Sequence, residues 1–206
     1  MNRLRTADLF AGAAIVLLFL GTLAVHGSLP DTMPMHLDLQ GRADGFAPRF
    51  VGAWLLPVVA SLTWALVRFR GDAVTRGANA WAGTLTVIFL GALHVLLLRM
   101  ALSGATHAGI GLGVVLGLFS LFLGLLLPRI RRNRFIGIRL PWTLASDENW
   151  ARTHHFAGRL FALGGVVTLL ACAVSPSVGN VVAILAILAT SIVASVHSYR
   201  IQHAER

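Results

Sequence analysis

The chain has 206 residues, 56% of them hydrophobic and only 12% charged, with a mean hydropathy of +0.77. Soluble domains carry about a quarter charged residues, so this composition excludes a water-covered surface and indicates an integral membrane protein. The net charge is +9 and all 17 basic residues are arginine; because they cluster beside apolar runs they read as topology signals, and direct nucleic-acid binding is not expected.

A helix crossing about 30 Å of hydrocarbon needs roughly 20 apolar residues. Six runs meet that need, at 7–27, 51–67, 80–100, 109–127, 157–175 and 179–198. They are continuous rather than alternating, which argues against a barrel. The predicted fold class is therefore all-α: a single polytopic membrane domain over residues 1–206 with six transmembrane helices.

The first run follows Arg3 and Arg5, is too long for a signal-peptide core and lacks a small-x-small cleavage site, so it is read as a retained helix. In the second run a break of the helix at Pro57 is the feature on which a transporter alternative would rest, since broken helices line transport sites. In the third, His94 and Arg99 are intramembrane polar residues, joined by His26 at the end of the first; such residues hint at function by default, though His94 is expected to pack among helices. In the fourth, Gly113 and Gly117 have the spacing of a close helix contact. Cys172, the lone cysteine, reads as a small buried apolar residue without a disulfide. Pro176 and Gly179 predict a tight turn before the last run.

Arginine placement sets the orientation. Arg3, Arg5, Arg68, Arg70, Arg76, Arg129, Arg131, Arg132, Arg134, Arg139, Arg152, Arg159, Arg200 and Arg206 fall on one side; only Arg42, Arg49 and Arg99 fall on the other. Both termini are thus expected in the cytoplasm, with the chain in the bacterial cytoplasmic (inner) membrane.

Two polar loops exceed what a connector needs. The first, SLPDTMPMHLDLQGRADGFAPRF at 28–50, is expected as an extracytoplasmic module. Within it MPMHLDLQG alternates in character and predicts an extended segment, and GRADG predicts a turn. His36 and Asp38 are expected on one face of that segment, with Asp44 nearby. They form a candidate ligand site, or else a solvated loop whose aspartates cap turns. One imidazole and two carboxylates fall short of a zinc signature, so no metal or cofactor is expected.

The second, at 129–158, is expected on the cytoplasmic side and contains GIRLPWTLASDENW. Pro141 stops any preceding helix. Ser146 is an N-cap, with Asp147 and Glu148 at the positive helix end, so a helix should start near 147 and run into the fifth span. Trp150, His154, Gly158 and Phe161 then share one side. Trp142 and Trp150 suit the headgroup boundary. The loop reads either as an interfacial elbow or as a docking surface for a cytoplasmic partner.

These residues resemble the SdpI family, bacterial membrane proteins that confer immunity to a sporulation-delaying peptide toxin. The inner loop is similar to that family's pattern at Asn133, Gly137, Ile138, Arg139, Pro141, Trp142, Thr143 and Leu144, then at Trp150, Thr153, His154 and Gly158. The outer loop resembles the accompanying N-terminal module at Pro34, His36, Gly41 and Asp44. Leu140 stands where a small polar residue is usual, and Arg152 where lysine is common. The resemblance implies a non-enzymatic immunity or sensor protein. It would meet a membrane-active peptide toxin through Pro34, His36, Asp38, Gly41 and Asp44 on the outer face. The inner signature loop would serve signalling, including sequestration of a cytoplasmic transcriptional repressor. A small membrane transporter, and behind it a membrane-embedded metalloenzyme, are the alternatives.

Overall fold

A computed structural model describes residues 2–70 and 76–204; Arg206, counted above among the inner arginines, lies outside them. The elements in chain order are α1 (Asn2–Val25), β1 (Thr32–Leu37), β2 (Ala43–Pro48), α2 (Arg49–Arg70), α3 (Arg76–Ser103), α4 (Gly111–Leu126), α5 (Pro141–Ala145), α6 (Asp147–Val174) and α7 (Pro176–Ala204). All but α5 among the helices are long and apolar enough to cross a membrane, as the six runs predict. Many large apolar side chains on their outer faces, such as Leu17, Leu62, Leu163 and Leu170, are exposed, as a lipid-facing surface requires.

Three local readings change, and one, at Pro141, gains a helix. Pro57 lies inside an unbroken α2. A proline removes one N–H, and in hydrocarbon every other helix bond is too costly to give up, so the helix continues through it. The outer loop holds two strands rather than one extended segment, paired antiparallel with Met33 opposite Ala47 and His36 opposite Gly45. The turn between them falls at 39–41, while Ala43, Asp44 and Gly45 of GRADG belong to β2. Pro141 starts a helix, α5, at the first-turn position where its missing N–H costs nothing. Finally α6 and α7 are joined through Ser175 alone; Gly179 is a residue of α7 packed on Cys172, not a turn residue.

The helices form two groups, α1 with α2 and α3, and α4 with α6 and α7, joined along α3 and α4. The tightest seam is α4 on α6. A Cβ at Gly124 would lie 2.6 Å from the carbonyl of Gly158, and one at Gly165 would lie 2.6 Å from that of Gly117. Backbone meets backbone there, so the Gly113–Gly117 pair is one end of a longer stripe of small residues. In the other group, His94 is buried and its Nε2 lies 2.7 Å from Thr22 Oγ, whose hydroxyl donates to the Leu18 carbonyl. His94 therefore ties α3 to α1, as expected of a packed histidine. At the hairpin end Met33 is fully buried against Gly52 of α2, with Leu29, Ala53 and Leu98 around it.

The hairpin is tied to the bundle by Asn180, a fully buried residue of the first turns of α7. Its Nδ2 donates to the carbonyl of Gln40 at 3.1 Å and faces that of Gly109 at 3.5 Å. Gly41, at φ +82°, passes so close that a Cβ would lie 2.6 Å from this nitrogen. Ala108 N–H donates to the Gly41 carbonyl and Ala43 N–H to that of Thr106. Replacing Asn180 with alanine should cost about 1–3 kcal/mol for the carbonyls left unpaired. Hydrogen exchange checks it: the Gly41, Ala43 and Ala108 amides should exchange faster with helix amides unchanged, and unaltered exchange there would refute the anchor.

Candidate functional site

The outer candidates separate by burial. Pro34 sits buried in β1 opposite Phe46, and Gly41 is buried in the turn against Asn180; both shape the hairpin. Asp38 does not share a face with His36, because the strand ends at Leu37 and irregular pairing on both sides of His36 breaks the alternation. Its carboxylate accepts from the N–H groups of Gln40 and Arg42, each at 2.8 Å. It is a turn cap, and the Arg42 amide above all holds its carboxyl below the usual carboxylate range. His36 and Asp44 do come together: Nδ1 lies 2.5 Å from Oδ1, with both side chains largely exposed. Phe46, 62% exposed, shares the Asp44 face of β2. The sequence reading passed over Phe46, although the alternation of ADGFAP carries the signal. His107 meets the hairpin through a backbone bridge to Arg42. Among the described residues no three His, Cys, Asp or Glu side chains converge as a metal would require.

The inner candidates form one hydrogen-bonded lock. Asn133 uses both ends of its amide: Oδ1 accepts from Phe135 and Ile136, and Nδ2 donates to the carbonyls of Arg131 and Ile136. That curls the chain and delivers Gly137 at φ +116° against the ring of His154, where a Cβ would overlap Nε2 and crowd the Trp150 ring. Only glycine fits both constraints. His154 is buried; its Nδ1–H donates to the Trp150 carbonyl at 2.8 Å and Nε2 accepts from Ile138 N–H at 3.0 Å. One partner only accepts and the other only donates, so the pair dictates the neutral tautomer. The ring stacks on Trp150 at 4.0 Å, and the Trp150 indole donates to the Ile130 carbonyl at 2.8 Å.

Thr143 is fully buried and staples the next turn, accepting from Leu140 N–H and donating to the Ile138 carbonyl. The Ser146 hydroxyl caps α6 by accepting from Asn149 N–H, as predicted. Asn149, which the sequence reading missed, donates to the Ser198 carbonyl of α7 and accepts from Thr153. Trp142 donates to the Ser198 hydroxyl at 2.9 Å and meets Tyr199 edge-on. Trp150 is only 2% exposed, so it is a core residue rather than a headgroup anchor. Arg132, another residue the reading did not single out, pairs with Asp147 at 2.6 Å and donates to the Leu144 carbonyl. Arg139 and Pro141 remain exposed beside Arg131, Arg134 and Phe135, with Arg139 donating to the Arg134 carbonyl.

Two outcomes follow. His154→Ala removes the acceptor for Ile138 N–H and the ring under Trp150, and should cost about 2–4 kcal/mol; thermal melting and a red shift of tryptophan emission report it, and a parent-like melt would contradict the lock. At the hairpin, Asp38 has a lowered pKa, so its contribution to stability is present above the ordinary value of 3.8 and is lost as pH falls through the lowered one. Turn amide exchange should rise over that acid range in the parent but stay flat in Asp38→Asn, whose oxygen still accepts but no longer titrates.

Comparison with known proteins finds two family matches along the chain. Residues 129–199 match the SdpI/YfhL protein family, and residues 13–60 match a domain of unknown function, DUF1648. The first match begins at the inner loop and continues through α6 into α7; the second spans α1, the hairpin and the start of α2. The chain is also similar to "Immunity protein SdpI" of Bacillus subtilis (strain 168), 22% identical over 192 residues, covering 90% of this chain and 92% of that protein. No solved structure matches the chain. Six apolar helices and similarity along nine tenths of the chain make this protein a multi-pass bacterial inner-membrane protein, similar to the SdpI/YfhL family over residues 129–199.

Proposed function

We propose that the protein is a non-enzymatic membrane immunity protein that intercepts a membrane-active peptide toxin at the outer face. The observation that carries this reading is the exposed face of the hairpin, where His36, Asp44 and Phe46 combine charge with an aromatic ring. A toxin that enters membranes is amphipathic, and such a mixed face complements both of its characters. The hairpin is held at Asn180 and at Met33, so little ordering cost falls on binding. The name of the Bacillus subtilis relative supports the same reading. With both termini in the cytoplasm, as the arginine bias favours, the hairpin module at 28–50 faces outward and the loop at 129–158 inward.

The inner loop supplies the second half of the proposal, the holding of a cytoplasmic transcriptional repressor. Asn133, Gly137, Thr143, Trp150, Thr153 and His154 are consumed in building its shape. A partner would meet the exposed Arg131, Arg134, Phe135, Arg139 and Pro141 instead. The transporter reading loses its main support, because α2 is continuous through Pro57.

A survival assay tests the outer role. The chain is expressed in a sensitive bacterium challenged with a sporulation-delaying-type peptide. His36→Ala, Asp44→Ala and Phe46→Ala should each reduce protection by about tenfold, the effect of roughly 1.4 kcal/mol in binding, with membrane levels unchanged. Arg139→Ala should leave protection intact. Full protection by all three hairpin variants, or none by the parent, would overturn the proposal.

A further inference from the structure

We propose that the loop end of the bundle carries a specific site for a phospholipid with an anionic headgroup, centred on Arg129. Two grooves meet at this residue. One is an apolar trough of about 520 Å³ between α3 and α4, lined by Trp81, Leu85, Ile88, Phe122, Leu125 and Arg129 among others. The other, about 480 Å³, runs between the end of α4 and α6 and is lined by Arg129, His155 and Arg159 together with Gly124, Pro128 and Gly158. Leu125 and Arg129 line both.

The charge in the second groove lacks a counterion. No carboxylate lines either groove, and among the described residues neither Arg129 nor Arg159 pairs with one. The nearby acids are taken: Asp147 by Arg132 and Glu148 by Arg152. Arg129 folds back to donate to the Leu125 carbonyl, which parks a guanidinium at the junction of the apolar and basic grooves. Two guanidiniums beside one concavity suit a phosphate, which each can bind in a forked geometry.

Depth agrees. α6 has 28 residues, about 42 Å at a rise of about 1.5 Å per residue, against about 30 Å of hydrocarbon. Its first two turns therefore stand in the headgroup zone, and Arg159 lies about 6 Å below it, within reach of a snorkelling arginine. Trp81, near the start of α3, marks the same boundary. A free anion would leave the trough unused. A phospholipid fills both grooves, its phosphate among the basic side chains and an acyl chain along Ile88 and Phe122. The site adjoins Ile130, whose carbonyl receives the Trp150 indole, so its occupant would brace the inner loop. This inference does not depend on the toxin reading.

The test uses the full chain in detergent, melted in the presence of phosphatidylglycerol, phosphatidylcholine of the same acyl chains, or inorganic phosphate. Phosphatidylglycerol should raise Tm by several degrees at concentrations where the other two do nothing. The paired variant Arg129→Gln/Arg159→Gln should weaken that response at least about tenfold, and Arg200→Gln should not. Ile88→Trp, which fills the trough without touching the charges, should weaken it too. Equal stabilisation by phosphatidylcholine would make the site a general lipid contact, and equal stabilisation by phosphate a free-anion site. A parent-like response in the arginine pair or in Ile88→Trp would also overturn the proposal.

Discussion

Hydrocarbon offers no hydrogen-bond partner, so a backbone group inside this bundle is costly unless it finds one within the chain. That constraint organises the whole structure. It keeps α2 intact through Pro57, sets His94 on Thr22, and drives the threonines and serines of the spans to donate to carbonyls of their own or neighbouring helices, as Thr84 does to Ala7 and Ala80. It also explains why the non-helical backbone is confined to the two ends. There the same accounting is met by side chains: Asn180 for the outer turn, and Asn133, Thr143 and His154 for the inner loop. In the absence of a hydrophobic drive between helices, close packing has to come from small residues, and the α4–α6 seam supplies it.

The two ends are built by different means. The hairpin is a small antiparallel unit whose underside is packed and whose outer face is open, so its exposed His36, Asp44 and Phe46 are available to whatever approaches from that side. The inner loop is nearly the reverse. Its most distinctive residues are spent inward on a single neutral histidine between a carbonyl and an amide, and only a rim of arginines, Phe135 and Pro141 is left outside. A residue pattern that marks a family can thus encode a shape rather than a contact.

Length and hydropathy were enough to read the six spans, because a run of about 20 apolar residues has few other uses. The start of α6 was also legible: Ser146 followed by Asp147 and Glu148 is a local signal with a local cause. The second strand was not, because a two-stranded hairpin is defined by pairing between segments and by irregularities on both sides of His36 that no alternation pattern reveals. Asp38 looked like a partner of His36 for the same reason. Asn180 and Asn149 escaped notice because their partners, Gln40 and Ser198, lie 140 and 49 residues away. A single asparagine in an apolar run says that something must satisfy it, but not what.

α7 holds one member of each of those distant pairs. Asn180 grips the outer turn, and Ser198, about 27 Å along the same helix at about 1.5 Å per residue, receives Trp142 and Asn149 from the inner loop. A helix is stiff along its axis, and hydrogen bonds near 2.9 Å weaken steeply once stretched past about 3.5 Å. α7 is therefore one stiff element that carries the anchor of the outer turn at one end and the anchor of the inner loop at the other, so the two polar ends share a single support.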